Sequence, residues 1–576
     1  MKRLIAILVL LLALSAAGVL AAPVENGQPL DELTALAQYA PAETPLFAVI
    51  RTDDDYFAAL DGLIEQVSAQ LPPGMVPPLT VTDLLNEALF PGSEPDENFE
   101  AVFAPWLGDS IAVYLASFEA FFFGSESPIV VAADVADTDA AIAFIEEEAI
   151  IGWDGEPTHK RVDGEDGVII YEPLEIWDPL FALTDDTLLV AEEPLMRRVV
   201  LPLLAGDGLT LAGSDAFSGM MDAMPADGYN ILAYINPQEP AEILMSLLPM
   251  ALEPDMVPAE LPDMIAALGQ LGVGFTLVDG RALVVDIAST AQMESGSQPL
   301  DLSLLENVPA NTPLVIESSG LGTFLGGALD ALDALDVFLR ETGILPLDLD
   351  GFMLDVGPGD LGTFIRFSVE GTTGISLEDA LSALDGDMVS YLRLAAIDDD
   401  APLALDNLRG ISMSLLRTEN PDGMSALLDT AARRAQNALS AATYADGMLT
   451  LPMNNFLDMP GMEALTISRS SSRLIAAPAS EVEALLAGLD ANLTGTDAYA
   501  FESALFLPDA TALLYLDMGP LRDVAAGLIA AESDAIPPQD AEMLLALLGL
   551  LDTSSITTAH GDSSQAIRLT LTLSES

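Results

Sequence analysis

Two histidines, His159 and His560, are the whole supply of imidazole in 576 residues, and there is no cysteine. Imidazole is the usual base, proton shuttle and metal ligand near neutral pH. His159 sits beside Lys160 and Arg161, and His560 precedes Gly561-Asp562. Both are expected to be exposed turn residues rather than catalytic ones. Two distant histidines without a thiolate cannot supply the ligand set that zinc prefers. A cysteine-free chain also has no disulfide, no thiol nucleophile and no attachment point for a lipoprotein anchor.

A serine nucleophile needs a base and a strained elbow, and the Gly-x-Ser-x-Gly pattern does not occur. Ser214 and Ser218 lie near Gly213 and Gly219, but the other half of the chain carries Thr496 and Ala500 in the matching places. Both serines are read as helix caps. Gly320-Leu321-Gly322 with Gly326-Gly327 is glycine-rich, yet it lacks the lysine and spacing of a phosphate loop, so a close helix–strand crossing is expected. Carboxylates are too numerous for their presence to identify a glycosidase, which needs two at a set separation in an aromatic cleft. The three tryptophans, Trp106, Trp153 and Trp177, all fall in the first half. No catalytic set emerges, and the chain is read as a non-enzyme.

Calcium is the ion best suited to an acidic protein, since it takes oxygen ligands. The candidates are Asp53 and Asp55 in Asp53-Asp54-Asp55, Asp348 and Asp350 before Gly351, and Asp398 and Asp400 in Asp398-Asp399-Asp400. None has the ordered loop with a distal bidentate glutamate, and solvated acidic loops are the favoured alternative. The apolar candidates are Phe118, Phe121, Phe122 and Phe123, and the methionines Met245, Met250, Met256 and Met264. Methionine surfaces adapt to apolar ligands. Ordinary packing is favoured over the second reading, a carrier or sensor of a hydrophobic ligand at the domain junction. A carboxylate-based hydrolase is the third.

The elements that would position such groups lie in a very acidic chain. Lys and Arg number 19 against 90 Asp and Glu, a formal charge of −71. After Lys2 the only lysine is Lys160. This field repels nucleic acid and anionic membrane surfaces. It favours cations, a basic partner or plain solubility. The 51% hydrophobic fraction argues against disorder. At the N-terminus, Lys2-Arg3, the apolar run Leu4 to Leu14 and the small residues before Ala21 form a signal-peptide pattern over residues 1–21. Cleavage after Ala21 is expected. Retention as an anchor is the alternative, because Leu4 to Ala22 approaches a membrane-spanning length. Either way the body is expected outside the cytoplasm, secreted or in the cell envelope.

The body repeats itself. Pro41-Ala42-Glu43-Thr44-Pro45-Leu46 returns as Pro309-Ala310-Asn311-Thr312-Pro313-Leu314, an offset of 268. Gly108-Asp109 matches Gly386-Asp387, offset 278, and Pro194 matches Pro478, offset 284. Gly213-Ser214-Asp215-Ala216-Phe217 matches Gly495-Thr496-Asp497-Ala498-Tyr499, offset 282. Pro225 matches Pro508, and Tyr234-Ile235-Asn236 matches Tyr515-Leu516-Asp517. Ordered matches with a narrow spread of offsets predict a tandem duplication: a first domain over residues 22–300 and a second over 301–576. Such a long repeat is not a solenoid or propeller. Strands in hairpin-like pairs beside helices, such as the pair around Asp163-Gly164, predict an α+β fold. Its sheets are expected to be mostly antiparallel and covered on one face by helices.

These motifs resemble a family of secreted or membrane-anchored bacterial proteins defined by a domain of unknown function. Its Pro-Ala-x-Thr-x-Leu strand, Gly-Asp strand and Ser-Asp-Ala-Phe turn are similar to the segments quoted above. The resemblance implies an extracytoplasmic location and assigns no chemistry.

Overall fold

The computed structural model describes residues 27–72, 80–90, 97–123, 127–152, 155–164, 167–175, 178–243, 269–291, 298–320, 322, 370, 376–396, 408–438, 442–445, 447–452, 464–470, 473–531, 537–561 and 564–574. The leader expected over residues 1–21 lies outside the described residues. Among the described residues, no helix is long and apolar enough to cross a membrane. The fold is a mixed α+β one, and the strands pair antiparallel throughout the described ladders.

Two compact units contain these residues. The first draws them from Met1–Ala251, Ala259–Met293 and Gly561–Ser576, the second from Glu294–His560. In chain order the first unit holds β1 (Gln28–Pro29), β2 (Leu46–Arg51), β3 (Leu107–Leu115), β4 (Ile129–Val135), β5 (His159–Asp163) and β6 (Ile169–Pro173). It continues with β7 (Pro179–Leu183), β8 (Thr187–Glu192), β9 (Gly228–Tyr229), β10 (Ile231–Ile235), β11 (Leu271–Val278) and β12 (Ala282–Ser289). The second unit holds β13 (Leu314–Ser318), β14 (Gly386–Ala396), β15 (Leu408–Thr418), β16 (Thr443–Ala445) and β17 (Met448–Pro452). Its remaining strands are β18 (Ala464–Ser470), β19 (Arg473–Ala477), β20 (Ala510–Asp517) and β21 (Leu551–His560). The last strand, β22 (Gln565–Leu573), belongs to the first unit.

In the first unit the ladder runs β22-β12-β11-β10-β2-β3-β4-β8-β7-β6-β5. The pair β1–β9 stands apart as a small ribbon. In the second unit the ladder runs β21-β20-β13-β14-β15-β19-β18-β17-β16. The hairpin expected around Asp163-Gly164 is present as β5–β6, with Asp163 opposite Ile169.

The expectation of a single covered face is corrected in the first unit, where both faces are packed. On one side Phe47, Val49, Tyr114 and Ala132 meet Leu33, Leu36, Met196 and Phe217. On the other, Ile50, Ile111, Val113 and Val131 meet Tyr56, Leu85, Phe103 and Trp106. The reason lies in the sequence: Ile111-Ala112-Val113-Tyr114-Leu115 and Leu188-Leu189-Val190-Ala191 are unbroken apolar runs, the signature of strands buried on both faces. Helices start where a short polar side chain can take a free backbone N–H. Asp53 caps Asp54–Gln70, and Thr80 with Asp83 forms a capping box on Val81–Leu89.

In the second unit a smaller cluster, Leu428 and Ala432 of the helix Pro421–Ala438 with Leu449, Ile467 and Leu474, packs on the face opposite the main described core. In that main core Val315, Val389, Tyr391, Met413, Leu415, Leu513 and Tyr515 project from neighbouring strands against Leu304, Leu305, Val482 and Tyr499. The covering pieces are the 3-10 segment Leu302–Asn307 and the helices Ala479–Ala487 and Asp497–Ser503.

Candidate functional site

The histidines are not exposed turn residues, which corrects the expectation. His159 opens β5 and is buried, because its ring packs edge-on to Phe181 with centroids 5.3 Å apart. Its Nε2 donates to the Pro179 carbonyl at 2.7 Å, and its Nδ1 lies 2.8 Å from the Thr158 hydroxyl. Burial lowers its pKa, against the opposing pull of the Pro179 carbonyl and Asp178. His560 ends β21, half-buried, with Nδ1 3.0 Å from Thr511 Oγ1. Each ring thus meets a threonine hydroxyl, Thr158 for His159 and Thr511 for His560.

Ser214 does cap Asp215–Ala223, accepting from the Phe217 N–H at 3.5 Å. Ser218 does not cap it: this residue is inside the same helix, exposed, with its N–H on the Ser214 carbonyl. Thr496 caps Asp497–Ser503 in the second unit, accepting from Tyr499 N–H at 3.2 Å. The Thr496 hydroxyl in turn donates to the Leu493 carbonyl at 2.9 Å.

Of the acidic candidates, Asp53 is engaged as a cap and as the partner of Arg51, whose Nε and Nη2 reach its carboxylate at 2.6 and 2.7 Å. Asp55 is exposed in the first turn of that helix. Asp348, Asp350, Asp398 and Asp400 lie outside the described residues. Among the described residues, no group of three or more His, Asp or Glu side chains is placed to hold a metal ion. Trp106 is in the core of the first unit, while Trp153 and Trp177 lie outside the described residues. Phe121 is exposed on the short helix Phe118–Phe123. Met245, Met250, Met256 and Met264 also lie outside the described residues, as do Leu321, Gly326 and Gly327.

The groups with distinctive surroundings are ones the sequence reading passed over. The first is Glu317, in the middle of β13 and 0% exposed. Neither of its carboxylate oxygens has a hydrogen-bond partner. It stands opposite Val389 of β14 and Leu513 of β20. Burial, with Asp387 and Asp301 adding, pushes its pKa up to about 8, while Arg417 pulls it back. Beside it, Arg417 of β15 pairs with Asp387 at 2.5 Å and with Asp301 at 2.6 Å. Asp301 also caps the segment Leu302–Asn307. This arrangement stores a neutral carboxylic acid next to an arginine clamp. One signal was available: aligning the two Pro-Ala strands at offset 268 sets Glu317 against Val49.

The second is Glu502 on the helix Asp497–Ser503, which is 0% exposed and accepts from Thr553 at 2.7 Å and Ser555 at 2.6 Å. The third is Asp286 of β12, also 0% exposed. Arg568 of β22 binds it through Nε at 2.7 Å and Nη2 at 2.8 Å, and Tyr229 donates its phenol at 2.8 Å. Both are satisfied networks whose oxygens are occupied by the protein itself. Such groups stabilise or specify packing, and they present no free acid or base to a substrate.

With this geometry in hand, comparison of the chain with protein-family models, curated proteins and solved structures gave no match.

Proposed function

We propose that this protein is a non-enzymatic extracytoplasmic protein, built by tandem duplication of one α+β unit, that acts in binding or in envelope structure. The observation that supports this reading is a strand order common to the two units, beside chemical groups that differ between them. Numbering nine strands of each unit by chain order, the ladder reads 9-8-1-2-3-7-6-5-4 in both: β11-β10-β2-β3-β4-β8-β7-β6-β5 and β21-β20-β13-β14-β15-β19-β18-β17-β16.

Framework contacts recur at matching positions. Pro41 bridges Thr210, and Pro309 bridges Asn492. Phe217 meets Tyr234 edge-on at 5.1 Å, and Tyr499 meets Tyr515 edge-on at 5.6 Å. The hydroxyls of Thr44 and Tyr234, and those of Thr312 and Tyr515, are buried without a partner. The groups that could do chemistry diverge. Val49 stands where the second unit has Glu317, and Met220 where it has Glu502. A duplicated enzyme would be expected to retain its acid or base in at least one complete set, and the buried acids here are unpartnered or internally satisfied.

The leader and the motif resemblance support the extracytoplasmic part of the proposal. Expressing the full chain with its leader in a bacterium and fractionating the cells tests this, with protein outside the inner membrane or accessible to added protease as the expected result. A panel of hydrolase substrates tests the rest. Turnover that Glu317→Gln or His159→Gln abolishes, with folding intact, would overturn the proposal.

A further inference from the structure

We infer that Glu317 is a proton-controlled latch: held neutral, it lets Leu302–Asn307 and the helix Asp497–Ser503 close over β13, and its ionisation loosens that layer. The argument begins with geometry. Glu317 lies in a central strand between β14 and β20, with Val389 and Leu513 as its lateral neighbours. Both carboxylate oxygens are without a partner, so an ionised side chain here would keep its full desolvation cost. A neutral acid in the same place costs far less.

The groups around it decide what ionisation would do. Among the described residues, the charged or titratable side chains that act on Glu317 are Asp387 of β14, Asp301 at the start of the covering segment, and Arg417 of β15. From the helix Asp497–Ser503, Tyr499 is influenced by the Glu317 charge. Glu502 of the same helix is held by Thr553 and Ser555. Across β20, Leu513 is apolar, while two phenols share this face one pair along the strand: Tyr515 of β20, buried without a partner, and Tyr391 of β14, bonded to Met413. Arg417 ties the cover to the sheet, since it binds Asp301 on one side and Asp387 on the other. A new negative charge at Glu317 would repel both aspartates and compete for the one arginine. Opening the cover relieves the repulsion and admits water to the carboxylate. The upward displacement of its pKa, caused first by burial, has the direction such a latch requires. In the first unit, β2 lies between β10 and β3 and carries the apolar Val49 in its core, so no such device acts there.

Hydrogen exchange of the full chain, read by mass spectrometry from pH 5 to 9 and corrected for the intrinsic pH dependence of amide exchange, tests the latch. One proton held by the closed form and released by the open form raises the opening equilibrium by up to about tenfold per pH unit. The expected rise lies between the ordinary carboxyl value of 4.5 and about 8, with a plateau above it. It should appear in peptides covering 302–307, 314–318 and 497–503 and be absent from those covering 46–51. Glu317→Gln and Glu317→Val should both flatten it. A flat profile in the natural protein, an equal rise in 46–51, or a rise that survives both substitutions overturns the proposal. If neither variant folds, the contrast between 314–318 and 46–51 in the natural protein decides it.

Discussion

Arg568 and Asp286 are 282 residues apart in the chain and directly opposite each other across β22 and β12. The guanidinium grips the carboxylate through two N–H groups, at 2.7 and 2.8 Å, with Asp286 wholly buried. Such a pair costs much to break because the survivor is left charged in the interior, whereas replacing both partners by apolar groups is often neutral. Asp286→Leu or Arg568→Met alone is expected to destabilise the first unit by about 3–5 kcal/mol. The double variant should recover most of that loss. Denaturant titration of the four proteins in a double-mutant cycle checks it.

The same strand predicts an effect of truncation. β22 pairs with β12 along its length, from Ala282 opposite Thr572 to Ser289 opposite Gln565. The Ser574 carbonyl beyond it accepts from the amides of Gln66 and Gln70. Ending the chain before Gln565 should therefore loosen the first unit although the cut falls at the far end of the sequence. Faster hydrogen exchange in 282–289, with 411–418 unchanged, is the expected result.

Gly274 and Gly272 should respond differently to alanine. A Cβ at Gly274 would overlap the ring of Tyr229. That ring cannot yield easily, because its hydroxyl donates to Asp286 at 2.8 Å and accepts from Ala226 N–H at 3.0 Å. A Cβ at Gly272 meets the ends of Met224 and Met220, which can change rotamer. Gly274→Ala is expected to cost about 1–3 kcal/mol, and Gly272→Ala clearly less. Thermal melts of both variants decide between them.

His159 should make the first unit acid-sensitive. Its folded pKa is depressed below the ordinary 6.5 by burial, so the neutral ring is the form that folds. The unfolded chain then binds the additional proton. Stability is present above about 6.5 and lost as pH falls through the folded value. The melting midpoint should drop between pH 7 and 5, and His159→Gln should reduce the drop. An unchanged slope in the variant would sink this.

Asp53 is committed to the protein itself. Asp53→Ala removes a helix cap, worth about 1 kcal/mol, and leaves the buried Arg51 without its carboxylate partner. The loss should be the same with calcium and with chelator. A calcium-dependent melting shift that Asp53→Ala removes would restore the ion-site reading of that triplet.

Much of the framework was legible because its signals are local. Asp53 before Asp54–Gln70, Ser214 before Asp215–Ala223 and the Asp163-Gly164 hairpin are decided within a few residues by capping and turn chemistry. The exposed-turn reading of His159 failed for the opposite reason: its neighbours Lys160 and Arg161 are polar, but period-2 alternation turns its ring inward onto Phe181 of β7.

By itself the sequence determined the acidic, cysteine-free character of the chain, its α+β class and the order of its strand and helix signals, since composition, periodicity and caps are properties of short segments. Only the tertiary structure decided that β22 completes the ladder beside β12, that the first unit's central strands are packed on both faces, and that Glu317 is an unpartnered acid beside the Arg417 clamp. Those outcomes depend on register between strands tens to hundreds of residues apart. A glutamate reads as solvent-facing until its strand is set between two others and its side is fixed by alternation.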